Sequence, residues 1–321
     1  MSENSFGWTG DKLFDLVNSE KPKRETLVSG LIYAHSSLMI FGDTSSGKSS
    51  LSLQTALSLT SQSPVYGNLA VNDKFRVYYL LRERDISEPA ERIQIMQRSL
   101  SWDKDAINID DEFQGESLTR VPLQKEVIRR VIAWKAQIVF IDPIGAWERS
   151  LAKEESASDL MNFFTLLAKQ TGVTLWLTHH IHRNTYFEGK KTFEDDPYFG
   201  SSRIKNYVTG SYLVTKTATG TEWNLKKSSH SNLLHKLELE YDNERHLSFL
   251  KAEYGTTYDS LLLFLNSQKV NKNLFKFSDL QAHLGVSTSW LRNQISTPPF
   301  DTILKRHKTS GKPTLYEFLG L

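Results

Sequence analysis

The segment Gly42-Asp43-Thr44-Ser45-Ser46-Gly47-Lys48-Ser49 constrains this chain more than any other feature. It spells G-x-x-x-x-G-K-[ST] in full, between an apolar run, Ser37 to Phe41, and a stretch of helical periodicity, Lys48 to Leu59. Its glycines let backbone N–H groups turn inward at a helix N-terminus, where the helix dipole favours an anion. Further apolar runs follow at Phe75 to Leu81, Ala136 to Ile141 and Val173 to Thr178. Helical patterns lie between them, at Glu88 to Leu100, Leu123 to Lys135 and Ala157 to Gln170. Strands alternating with such helices are βαβ units, so the expected fold class is α/β with a mostly parallel, buried sheet. Shorter strands are expected at Ser211 to Thr217, Glu222 to Lys227 and Leu234 to Tyr241, paired antiparallel at the sheet edge.

The glycine-bearing turn carries the chemistry of a phosphate cradle. Gly42, Asp43, Thr44, Ser45, Ser46, Gly47, Lys48, Ser49 and Ser50 line it. Lys48 brings a point charge to the terminal phosphates of ATP, and the Ser49 hydroxyl ligates Mg²⁺. The metal also needs a carboxylate at the tip of a neighbouring buried strand. Ile138-Val139-Phe140-Ile141-Asp142 supplies Asp142 at the carboxyl end, where open parallel sheets bind ligands. Hydrolysis requires a group that polarises water. Glu83, in Leu81-Arg82-Glu83-Arg84-Asp85, follows a strand and reads as the general base, with Asp85 its competitor. Thr178-His179-His180-Ile181-His182-Arg183 closes a later strand. Histidines so grouped invite a metal reading, but ligation needs carboxylates converging from elsewhere, so His180 reads better as a polar reporter on the γ-phosphate.

Strand–Gly-x4-Gly-Lys-Ser–helix, strand-Glu, strand-Asp and strand-His-His-x-x-Arg, in that order, resemble the RecA-like ATPase superfamily over about Leu27 to Phe249. The likeness is closest to the RepA-like plasmid and phage helicase branch, related to the hexameric DnaB-type replicative helicases. It implies a RecA-like P-loop NTPase core in which Lys48 and Ser49 match the Walker A pair and Asp142 the Walker B acid. Glu83 matches the catalytic glutamate and His180 the sensor, and Arg183 falls at the family's basic position after it. Gly200-Ser201-Ser202-Arg203 resembles that branch's Gly-Ser segment. Trp223-Asn224-Leu225-Lys226-Lys227 resembles the strand whose basic end reaches a neighbouring subunit's nucleotide. Lys227, Lys226 or Arg203 is the implied trans-acting cation. The resemblance further implies a homo-oligomer, a ring or filament, with single-stranded DNA in a channel touched by Lys190, Lys191 and Arg203.

Composition matters most at the C-terminal end. Net charge is only +2, yet from Gly255 onward 8 Lys and Arg face 4 Asp and Glu, which points to an anionic partner. Helical patterns at Tyr258 to Asn266, Phe277 to Leu284 and Ser287 to Ile295 precede a basic hairpin, Ile303 to Phe318, with its turn at Ser310-Gly311. That is the order of a winged helix, whose third helix enters the major groove while the wing touches backbone. Arg292 and Asn293 then face DNA from the reading helix, and Lys305, Arg306, Lys308 and Lys312 suit phosphates. The expected organisation is a polar extension over 1–26 with a short helix at 11–17, an ATPase domain over 27–252 and a small winged-helix domain over 258–321.

With no cysteine, disulfide frameworks and thiolate chemistry are excluded. No apolar run is long enough to span a membrane and Met1 to Asp11 is polar, so a cytoplasmic protein is expected. The functional expectation is a Mg²⁺–ATP-dependent, DNA-acting ATPase, a ring-forming helicase or translocase of a mobile element. The alternative is a non-translocating DNA-binding ATPase that regulates recombination, transposition or transcription.

Overall fold

The computed structural model describes residues 25–83, 85–113, 115–148, 150–151, 153–180, 202–229, 233–251, 275–278, 295, 304–307 and 315–318. Arg183, Lys190, Lys191, Arg292, Asn293, Lys308 and Lys312 lie outside the described residues, as do the expected helices at 11–17 and 258–266 and most of those at 277–284 and 287–295.

A short hairpin, β1 (Thr26–Val28) and β2 (Ile32–Tyr33), precedes the main sheet. Six strands run parallel: β3 (Ser37–Gly42), β4 (Val77–Leu81), β5 (Ile107–Asp110), β6 (Ile138–Asp142), β7 (Thr174–His180) and β8 (Gly210–Lys216). Then β9 (Gly220–Ser228), β10 (Lys236–Asp242) and β11 (Leu247–Leu250) extend it as an antiparallel meander. The order across the sheet is β11-β10-β9-β8-β3-β7-β6-β4-β5. Strand β7 therefore separates the glycine-turn strand β3 from the Asp142 strand β6. The expected edge meander is present and longer by β11. Strand β5 is an addition, since Ile107-Asn108-Ile109-Asp110 alternates over too few residues to announce itself.

The helices are α1 (Lys48–Ser61), α2 (Ser87–Met96), α3 (Val121–Trp134), the single turn α4 (Ile144–Trp147), α5 (Glu154–Thr171) and α6 (Ser202–Tyr207). Period-two alternation divides the buried strand residues between two cores. Val77, Tyr79, Leu81, Ile138, Phe140 and Trp176 pack with Leu51, Ala56 and Leu59 of α1. Tyr78, Leu80, Val139, Ile141, Leu175 and Leu177 pack on the opposite face with α3 and α5. The result is three layers, helix on sheet on helix.

Helix α1 is buried on both sides, which explains how so many hydroxyl residues can line it. On the sheet side Ser52 Oγ accepts from Trp176 Nε1 at 2.8 Å, and Thr55 donates back to Leu51 O; elsewhere on the helix Thr60 donates to Leu57 O and accepts from Asp103 N. On the far side Leu53 and Leu57 meet Met96, Leu100 and Leu247. There the buried Gln54 amide imitates a strand neighbour: Nε2 donates to Ser248 O at 2.8 Å, and Oε1 accepts from Ser248 N at 2.8 Å. Gln54→Leu leaves both backbone groups unpaired, at about 1–3 kcal/mol each. A thermal melt is expected to fall by several degrees, and an unchanged midpoint would refute this role for the amide.

Residues 275–318 contribute a second, three-stranded antiparallel sheet of β12 (Phe275–Lys276), β13 (Leu304–His307) and β14 (Leu315–Phe318), ordered β12-β14-β13. Lys305 is exposed on β13, the same strand that carries Arg306, and the expected turn at 310–311 lies outside the described residues. Among the described residues no helix is long and apolar enough to cross a membrane.

Candidate nucleotide site

Between β3 and α1 the chain turns through two left-handed positions, Ser45 (φ 73°) and Gly47 (φ 85°), the second of which caps α1. Gly42 is required for a different reason: a Cβ there would lie 2.2 Å from Val214 O of β8. Lys48 folds back over the turn, where Nζ donates to Gly42 O (2.9 Å), Asp43 O (2.7 Å) and Ser46 Oγ (3.2 Å). It is 5% exposed, and that burial lowers its pKa from 10.5 to about 8, against the opposing pull of Asp142, Asp43 and Glu83. A cationic donor and a ring of backbone N–H groups at a helix N-terminus make an anion cradle.

Alternation along the neighbouring strands brings the acids to the same side. Tyr79, Leu81 and Glu83 share the α1 face on β4 and its exit, as do Phe140 and Asp142 on β6, and Trp176, Thr178 and His180 on β7. Asp142 is 2% exposed at the tip of β6. Ser49 Oγ donates to its Oδ1 at 3.2 Å, Thr178 Oγ1 donates to the same oxygen, and Tyr79 OH donates to Oδ2 at 2.6 Å. Burial first, then the adjoining carboxylate, pushes the Tyr79 hydroxyl well above its ordinary pKa, so it stays a donor. Neither Tyr79 nor Thr178 stands out in the sequence; the available signal was their position two residues before Leu81 and His180, on the face that α1 covers.

Glu83 and His180 meet across the mouth of this site, with His180 Nε2 3.2 Å from Glu83 Oε1. Their side chains are 43% and 29% exposed, open enough to reach a water molecule. The arginine before Glu83 is tied down: Arg82 lies 4.7 Å over the Trp147 ring and donates to Phe113 O and Glu116 O. Asp85 faces away, its Oδ1 accepting the Ser87 amide at 2.7 Å at the start of α2, and that bond lowers its pKa. Of the two acids in this segment, Glu83 is the one brought to the cradle.

Beside Ser45, Ser46 and Gly47 a cavity of about 670 Å³ opens under the β8–β9 turn, lined there by Lys216 and Thr219 and across from them by Tyr241. Its size suits a small organic group, and no motif in the sequence marks it.

The basic residues at the far side of β8 are arranged differently. Lys227 pairs in register with Ser211, which pairs with Met39, so it stands below Gly42 along the sheet. Its Nζ donates to Lys205 O (2.8 Å) and Asn206 O (3.0 Å) at the end of α6, and burial lowers its pKa. Lys226 is exposed. Arg203 pairs with Glu154 at 2.9 Å on the surface. The contacts of Lys227 tie it to α6, and that of Arg203 ties α6 to α5.

Ser49 and Asp142 present hard oxygen donors to one another at the phosphate-binding turn. That donor set fits Mg²⁺, which keeps much of its shell for water and phosphate oxygens and binds through one or two protein groups. The turn, the acid on a strand one removed from it, and the glutamate and histidine on flanking strands define a RecA-like P-loop ATPase. The model of the AAA domain family AAA_25 matches residues 9–185, more than half of the chain, and the chain belongs to that family. Among solved structures, a KaiC-like protein from the hyperthermophilic archaeon Pyrococcus horikoshii is similar at 15% identity, with 71% of this chain and 99% of that one covered and a TM-score of 0.49. No curated protein matches the chain.

Proposed function

We propose that this ATPase hydrolyses Mg²⁺–ATP in a homo-oligomeric ring and uses the cycle to move along or unwind DNA, in the replication or mobilisation of a mobile element. The observation that carries the catalytic part is the convergence of Lys48, Asp142, Glu83 and His180 on one turn. The triphosphate lies in the turn with the nucleoside in the cavity beside Tyr241. Lys48 holds the terminal phosphates. Glu83 accepts a proton from the attacking water, and His180, bonded to Glu83, orients that carboxylate and senses the γ-phosphate. Mg²⁺, when held by Ser49 and Asp142, neutralises charge on the phosphates.

In this reading Lys227, Lys226 or Arg203 of a neighbouring copy supplies the cation that completes the site, a contribution worth about 10³–10⁵-fold in such sites. The basic C-terminal segment supports DNA as partner. So does the order β12-β14-β13, since a first short strand paired to a hairpin is what a winged helix with its wing requires. ATPase rate per chain is expected to rise with protein concentration and again with single-stranded DNA. A rate indifferent to both overturns the ring and DNA parts, whereas DNA-stimulated hydrolysis that never separates a forked duplex selects the non-translocating regulator.

A further inference from the structure

We propose that the buried hydroxyls of Tyr79 and Thr178 position the Asp142 carboxylate and thereby set which divalent cation accompanies the nucleotide. The proposal rests on reading this turn as a metal–nucleotide site.

A carboxylate offers two oxygens with about four lone-pair positions between them. Here both oxygens are engaged by the protein: Oδ1 by Thr178 and Ser49, Oδ2 by Tyr79 at 2.6 Å. Asp142 pairs in register with Leu81, and its other neighbour continues the β6–β7 register at Thr178, so both hydroxyls come from the strands that flank it. Turning the carboxylate to offer both oxygens to one ion would break its Tyr79 bond, a cost in a site this buried. Held this way, Asp142 favours contact through a single oxygen or through a bridging water. Mg²⁺ accepts that arrangement, because it demands a small, regular shell and keeps its water. Ca²⁺ gains from bidentate carboxylates in a larger, looser shell.

The Tyr79 ring is fixed independently of its hydroxyl. It stacks on Phe140 with centroids 5.3 Å apart and planes 5° from parallel, and Phe140 in turn packs on Trp176 at 5.4 Å. Removing the oxygen alone therefore frees the carboxylate without moving the ring. Tyr79 and Thr178 are positioning residues, since they act through Asp142.

The test uses the full chain and a fluorescent, non-hydrolysable ATP analogue, titrated with Mg²⁺ and separately with Ca²⁺, and once in EDTA. In Tyr79→Phe the Mg²⁺ midpoint is expected to rise about 10-fold, the low end for loss of a partner that orients a metal ligand. The Ca²⁺ midpoint moves less, so the preference for Mg²⁺ narrows, while binding in EDTA stays at the wild-type level. An unmoved Mg²⁺ midpoint overturns the proposal. So does a loss equal for Mg²⁺, Ca²⁺ and EDTA, which marks general damage to the fold. Thr178→Val, which keeps the shape and removes the other hydroxyl, is measured alongside. If Tyr79→Phe does not fold, an unmoved Mg²⁺ midpoint in Thr178→Val overturns the proposal by itself. Wild-type protein that binds no analogue under any condition instead sinks the nucleotide reading.

Discussion

Glu83→Gln is expected to lower the ATPase rate by about 10²–10⁴-fold, the range for a positioned general base, while nucleotide still binds. The substitution keeps the side chain's size and its ability to face His180, and it removes only the group that takes the proton. Arg82, locked over Trp147, holds the backbone at this point, so the amide occupies the carboxylate's place. A single-turnover assay together with analogue binding checks both halves. A rate within a few-fold of wild type would transfer the base to another residue, and loss of binding would recast Glu83 as part of the cradle. Asp85→Asn should leave the rate near wild type, because Asp85 is committed to the start of α2.

Lys48→Met is expected to cost about 10²–10³-fold in rate, the loss seen when one donor to developing charge is removed. The same residue produces two opposite responses to alkali. Its pKa is about 8 in the folded chain and 10.5 when exposed to water. Below pH 8 the ammonium is charged in both states, and burying it costs the fold stability. Between pH 8 and 10.5 the unfolded chain holds more protons, so the fold gains stability as pH rises through this window. The difference in pKa corresponds to about 3 kcal/mol at 1.36 kcal/mol for each unit. Nucleotide binding moves the other way, since the charge that holds phosphate is lost above pH 8. Denaturant melts and analogue titrations of wild type against Lys48→Met across pH 7 to 10 test this. Parallel pH profiles for the two proteins would show that Lys48 is not the titrating group.

Much of the site was readable because strand alternation is a rigid rule. Once Asp142 ends a buried strand, its parity with Phe140 puts it on the α1 face, and the same counting places Glu83 and His180 beside it. Helices α1, α2, α3 and α5 were readable from a different rule, apolar residues at helical spacing. What escaped the sequence has no local signature. The Gln54 clamp joins residues 194 positions apart, and a glutamine in a helix looks like any solvated one. Tyr79 reads as one more apolar strand residue until its oxygen is placed against Asp142. The cavity by Tyr241 is made where three loops meet, and Lys216 and Thr219 on the β8–β9 turn carry no motif. Strand β5 is too short for its alternation to rise above chance.

Helix α1 begins at the phosphate turn, and its middle is fastened to β11 through both polar atoms of the Gln54 amide. Strand β11 ends at Leu250, and the basic C-terminal segment follows it in the chain. A load applied to the tail thus enters the core on the strand that grips the nucleotide helix. Strain that reaches β11 is shared with β10 and with α1, which Gln54 grips about one and a half helical turns from Ser49 and Lys48.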